Sequence, residues 1–243
     1  MTFDIHQGDA LEVLRQMPPQ SVDLILTDVP YSSGGAFRGD RAAGTGSKYC
    51  DARFDGAAAL PDFTGDNRDQ RGFLTWCALV LGQCHRVAKP GAIFATFIDW
   101  RQLPTMTDAL QAGGWVWRGV SVWHKPGARP QQGRPVADCE FIVWGTAGPR
   151  PQGRAKGEPV GPRLFSGKAP SGASRIHQTQ KPVELLAQWV DLLCPADGVV
   201  LDPFAGSGST GEAAIACGRR FIGIELHPHY ADVMRTRLSQ IGG

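Results

Sequence analysis

Three acids each close a short apolar run. Asp28 stands just after Ser21-Val22-Asp23-Leu24-Ile25-Leu26 and Thr27, Asp202 follows Val199-Val200-Leu201, and Glu225 follows Phe221-Ile222-Gly223-Ile224. Runs of this length and composition read as buried strands. Open α/β sheets bind ligands at the carboxyl ends of their strands, where these acids would stand.

The residues after Asp28 suggest a chemistry. Asp28-Val29-Pro30-Tyr31 combines a carboxylate, a backbone carbonyl and an aromatic ring, with a proline that removes a backbone donor. With a planar base stacked on Tyr31, Asp28 and the Val29 carbonyl could accept the two hydrogen bonds of an exocyclic amine. That would hold the nitrogen lone pair out of the ring plane and stabilise charge developing there.

The residues after Asp202 suggest a ligand. Phe204-Ala205-Gly206-Ser207-Gly208 is a glycine-rich turn between a strand and a helix. Its glycines allow close backbone approach, and the helix start leaves N–H groups free. Glu225 lies about twenty residues on, where an acid accepts hydrogen bonds from ribose hydroxyls. The third glycine of a dinucleotide loop is missing, so the pattern points to an adenosine-containing ligand more than to NAD.

The surrounding elements must hold these corners in place. Strands are expected at Phe3–His6, Ser21–Leu26, Ala92–Ile98, Trp115–Trp123, Cys139–Trp144, Val199–Leu201 and Phe221–Ile224. Helices are expected at Ala10–Met17, Gly72–Val87, Leu103–Ala112, Pro182–Leu193, Gly211–Cys217 and Pro228–Leu238, with Lys89-Pro90-Gly91 as a break. Alternation of this kind predicts an α/β, Rossmann-like doubly wound fold: a seven-stranded, mostly parallel sheet with helices on both faces. The whole chain, 1–243, is expected to form one domain.

Two stretches fit neither period. Residues 32–71 are rich in Gly, Ala, Asp and Arg and are expected to form a mobile loop beside the Asp28 corner. Residues 146–178 are dense in Gly, Pro and cations, and are expected to form a short basic surface loop without a core of its own. Residues 118–175 hold ten Lys and Arg against three acids, whereas the whole chain carries only +2. A basic stripe on a near-neutral chain suits a polyanionic partner.

The six cysteines are scattered, without a C-x-x-C pair, as expected of reduced thiols. No membrane span or leader pattern is evident, so a cytoplasmic location is expected.

Taken together, the motifs resemble those of the amino-group DNA methyltransferases. Asp28-Val29-Pro30-Tyr31 is similar to their D-P-P-Y signature, with Val29 in place of the first proline. Phe204-Ala205-Gly206-Ser207-Gly208 is similar to their F-x-G-x-G loop, and Thr179-Gln180-Lys181-Pro182 to their T-x-K-P segment. The catalytic corner precedes the cofactor loop, which is the circularly permuted order of the β group.

The resemblance implies S-adenosylmethionine as cofactor and DNA as partner. Phe204, Gly206, Ser207 and Gly208 would line the methionine end, with Asp202 nearby, and Glu225 would hold the ribose. Asp9 would lie near the adenine, though it reads nearly as well as a helix N-cap. Thr179 and Lys181 would lie near the cofactor carboxylate. Asp28, Val29, Pro30 and Tyr31 would hold a target base flipped out of the duplex.

The implied reaction is direct methyl transfer to an exocyclic amine, with no metal required. In this family D-P-P-Y favours adenine N6, which Asp28 matches, while cytosine N4, RNA and a silent binding relative are the alternatives. A small basic loop at the target-recognition position implies relaxed or very short specificity. The β group often forms dimers, so a homodimer is compatible with the resemblance.

Overall fold

Apolar strands alternate with capped helices along the chain, and the sheet they build brings the three acids to one edge. The computed structural model describes residues 2–31, 68–128, 132–133, 135–149, 164–167 and 181–241. Residues 32–67 of the expected loop at 32–71, and most of the basic stretch at 146–178, fall outside the described residues.

The strands are β1 (Phe3–Gln7), β2 (Val22–Thr27), β3 (Ala88–Ile98), β4 (Val116–His124), β5 (Cys139–Thr146), β6 (Leu164–Ser166), β7 (Val199–Asp202) and β8 (Arg220–Glu225). The helices are α1 (Ala10–Gln16), α2 (Gln70–Val87), α3 (Leu103–Ala112), α4 (Val183–Leu193), α5 (Ser209–Ala216) and α6 (Pro228–Ser239).

The strands form one sheet in the order β1-β8-β7-β2-β3-β5-β4-β6. All neighbours are parallel except β5, which runs antiparallel to both β3 and β4. The doubly wound α/β architecture is as expected. The chain leaves β7 toward β8 on one side and leaves β2 toward β3 on the other. The β7/β2 boundary is therefore the topological switch point, outside whose carboxyl end such sheets bind ligands.

Each face of the sheet buries its own helices. One core joins Leu14 of α1, Phe73, Val80 and Cys84 of α2, and Met106 and Leu110 of α3 to Ile25, Phe94 and Ile98. The other joins Leu186 and Trp189 of α4, Ala213 of α5, and Met234 and Leu238 of α6 to Leu24, Leu26, Phe97 and Val200. Strand residues alternate between the two cores, as the period of a strand requires.

The structure corrects three expectations. The sheet has eight strands among the described residues, not seven, because β6 pairs with the edge strand β4. Its Phe165 is buried against Trp189, with ring centroids 5.2 Å apart, so this part of the basic stretch does join a core. Lys89-Pro90-Gly91 lies within β3, not in a break. The β2/β3 register shifts between Val22 and Leu24, and Gly91 takes φ +78°, so the Pro-Gly pair is accommodated as a bulge. Finally, α2 starts at Gln70, earlier than periodicity suggests, because the Asp69 carboxylate accepts from Gly72 N at 2.8 Å.

Candidate active site

The switch point is tied together by Asp202. It is 3% exposed, and its two oxygens take three donors. Thr27 Oγ1 donates to Oδ1 at 2.6 Å, Phe204 N to Oδ1 at 3.0 Å, and Thr210 Oγ1 to Oδ2 at 2.7 Å. One carboxylate thus joins the end of β2, the glycine loop and the start of α5. Burial pushes the Asp202 carboxyl up to about 6, against the opposing pull of those hydrogen bonds.

The loop between β7 and α5 turns on two glycines. Gly206 and Gly208 have φ of +51° and +84°, in the left-handed region. A Cβ on Gly208 would lie 2.7 Å from Met234 Cγ, so the position is restricted by packing as well. Ser207 is buried, and its carbonyl accepts from Arg237 Nη1 at 3.2 Å. Phe204 is half-buried against Trp76 of α2, 5.4 Å between centroids, and the Arg68 guanidinium caps Trp76 at 4.0 Å.

Glu225 reaches the same loop from β8. Gly206 N donates to its Oε2 at 2.9 Å and His227 N to its Oε1 at 2.8 Å. Asp9 follows β1, whose Gln7 pairs with Glu225, and Gly8 N donates to the Glu225 carbonyl at 3.0 Å. The Asp9 carboxylate accepts from Leu11 N at 2.9 Å and Glu12 N at 3.3 Å, so it caps α1 while standing beside Glu225.

Across the switch point, the Asp28 corner is built on charge. Lys181 Nζ lies 2.6 Å from Asp28 Oδ2 and 3.3 Å from Glu140 Oε2. Lys125 Nζ holds the other Glu140 oxygen at 3.0 Å, and Tyr31 OH lies 3.5 Å from Glu140 Oε2. Lys181 is buried, with its ammonium 5.2 Å from the Phe97 ring centroid. Among the described residues, Asp28 Oδ1 is buried without a hydrogen-bond partner. Burial raises the Asp28 carboxyl to about 6, with Lys181 opposing and Glu140 adding to the rise. Val29 packs into the core, and Pro30 is half-buried.

Four acids named from the sequence, Asp9, Glu225, Asp202 and Asp28, therefore stand at the carboxyl ends of four parallel strands, β1, β8, β7 and β2. The ammonium of Lys181, assigned above to the cofactor carboxylate, is seated on Asp28 and Glu140. Thr179 lies outside the described residues. Glu140, Lys125 and Trp76 carried no site role in the sequence, and Thr27 stood there only as the residue before Asp28. The one signal was Glu140 itself, an acid near the start of an otherwise largely apolar strand.

The residues fit an adenosine-bearing cofactor. The Glu225 carboxylate stands at the end of the strand beside the glycine loop, whose left-handed glycines let backbone approach a ligand closely.

Known proteins resemble the chain in sequence and fold. The model of the N6/N4 DNA methylase family matches residues 22–236. A putative methylase from Escherichia coli strain K12, YubD, is 31% identical over 242 residues, covering 97% of this chain and 89% of its own. A solved M1.HpyAVI–SAM complex is 26% identical with a TM-score of 0.69, covering 97% of this chain and 98% of that one. The cytosine-N4-specific PvuII DNA methyltransferase shares the fold, with a TM-score of 0.69 at 18% identity, over 100% of this chain and 92% of its own. The chain belongs to the amino-group DNA methyltransferases, enzymes that use S-adenosylmethionine to methylate an exocyclic amine of adenine or cytosine in DNA.

Proposed function

We propose that this enzyme methylates the N6 amine of adenine, on a base flipped out of the duplex, with relaxed or very short sequence specificity. The observation that carries the reading is the Asp28 corner: one oxygen is held by Lys181 and the other is buried and unpartnered. S-adenosylmethionine supplies a methyl group on a sulfonium, already a good leaving group.

The chain's residues prepare the acceptor. Tyr31 offers a face for the base. Asp28 Oδ1 accepts one amine N–H and the Val29 carbonyl accepts the other. The nitrogen lone pair then projects from the ring plane, and the carboxylate stabilises the positive charge that grows as the N–C bond forms and the methyl–sulfur bond breaks; the sulfur leaves as a neutral thioether and the surplus amine proton is lost to solvent. Asp28 as the first residue of the corner supports adenine over cytosine.

The sequence of residues 146–178 supports relaxed specificity. It offers many cations for phosphates and few groups for reading base edges. Single-molecule sequencing of plasmid DNA methylated by the purified protein tests both parts. N6-methyladenine at many sites sharing a very short context is expected. N4-methylcytosine would overturn the base assignment, and confinement to one motif of about five or more base pairs would overturn relaxed specificity.

A further inference from the structure

We propose that Glu140 is a positioning residue for methyl transfer: it restrains Lys181 and Tyr31 so that Asp28 keeps one oxygen free for the target amine. The proposal rests on the function of Asp28 given above. It assigns a task to a residue that none of the recognised motifs contains.

The argument begins with donors and acceptors. A lysine ammonium carries three N–H donors and no acceptor. Lys181 Nζ reaches Asp28 Oδ2 at 2.6 Å and Glu140 Oε2 at 3.3 Å. Asp28 Oδ1, on the same carboxylate, is buried and unpartnered. An ammonium held by Asp28 alone would turn toward that oxygen, because a buried acceptor without a donor is costly. Glu140 competes for the ammonium and draws it away from Oδ1.

Glu140 is itself held in place. Lys125 Nζ binds its Oε1 at 3.0 Å, leaving Oε2 directed at Lys181 and at Tyr31 OH, 3.5 Å away. The same oxygen thus touches the proposed stacking ring and the lysine that holds the amine acceptor. The cluster joins β2, β5, the end of β4 and the residue preceding Pro182, and it balances two carboxylates against two ammonium groups. The side chains of Glu140 and Lys181 are 17% and 8% exposed, so solvent does little to screen the pairs.

A purely structural role would be charge balance alone, and one variant separates the two. E140Q/K125M removes one charge of each sign and keeps the Asp28–Lys181 pair. Methyl incorporation into plasmid DNA, S-adenosylmethionine affinity and thermal melting are measured together.

The expected result is a cooperative melt, cofactor affinity within about twofold of wild type, and kcat lower by about tenfold or more. The acid limb of kcat/KM should also move to lower pH. The charged groups facing Asp28 are Lys181, Glu140 and Asp202, and removing Glu140 deletes one of the two that disfavour its ionised form.

E140D, which keeps the charge on a shorter arm, gives a second reading if the double variant melts poorly, and it too should lose kcat by about tenfold. A kcat within about twofold of wild type in a folded variant, or a loss traced wholly to cofactor affinity, overturns the proposal. A wild-type protein that transfers no methyl group would refute the function of Asp28 instead.

Discussion

Lys181 Nζ lies 2.6 Å from Asp28 Oδ2, although 153 residues separate the two in the chain. Removing its charge deletes the strongest influence that keeps Asp28 ionised. Burial already raises Asp28 to about 6, so wild-type kcat/KM should climb with pH through that value as the acceptor ionises. In Lys181→Met the limb moves to higher pH, because the opposing charge is gone. Activity at neutral pH falls by about tenfold or more, read from a pH–rate profile.

Asp202→Ala should destabilise the fold by about 2–4 kcal/mol, since it orphans the Thr27, Phe204 and Thr210 donors in a buried place. The loss also depends on pH. The native Asp202 carboxyl is raised to about 6 from an ordinary 3.8, so the native state holds its proton more tightly than the unfolded chain does. Its contribution to stability is therefore greatest at low pH and shrinks as pH rises from about 4 through about 6. Urea titrations should show a larger difference between wild type and variant near pH 5 than near pH 7.

Gly208→Ala should cost about 1–3 kcal/mol and weaken S-adenosylmethionine binding. The residue sits at φ +84°, and the new methyl would meet Met234 Cγ at 2.7 Å. Met234 is itself buried in the core, so adding Met234→Ala would open a cavity and leave its Cβ 3.3 Å from the new methyl. Thermal melts of the double variant should therefore lie below those of Gly208→Ala.

Val29→Pro should leave activity within about threefold of wild type, because the position acts through its carbonyl and proline retains one. Asp28→Ala and Tyr31→Ala should each lower kcat by about a hundredfold. Methyl incorporation assays on folded variants check all three. A folded but inactive Val29→Pro would show that the valine side chain, buried in the core, sets the corner's shape.

The sequence carried the strand-end acids clearly, because each closes an apolar run whose composition alone implies a buried strand. Asp202 and Glu225 could be placed beside a glycine turn for the same reason. Local pattern does not report long-range partners. Glu140 meets Lys181 only after β5 inserts antiparallel between β3 and β4, and no period in Cys139–Thr146 marks that crossing. Thr27, one of the three donors to Asp202, stood in the sequence only as the residue before Asp28, and its hydroxyl acquires meaning only from a carboxylate 175 residues away. β6 was missed because three residues are too few to show alternation.

β2 lies between β3 and β7, and those neighbours come from very different times in synthesis. β3 follows it within the first hundred residues, but β7 begins only at Val199. As the chain emerges from the ribosome, one edge of this apolar strand waits for nearly the entire polypeptide before its ladder can close. Such an edge invites pairing with another nascent chain. Expression yield should therefore be limited by aggregation of incomplete chains, and a truncation ahead of Val199 should be insoluble rather than merely inactive.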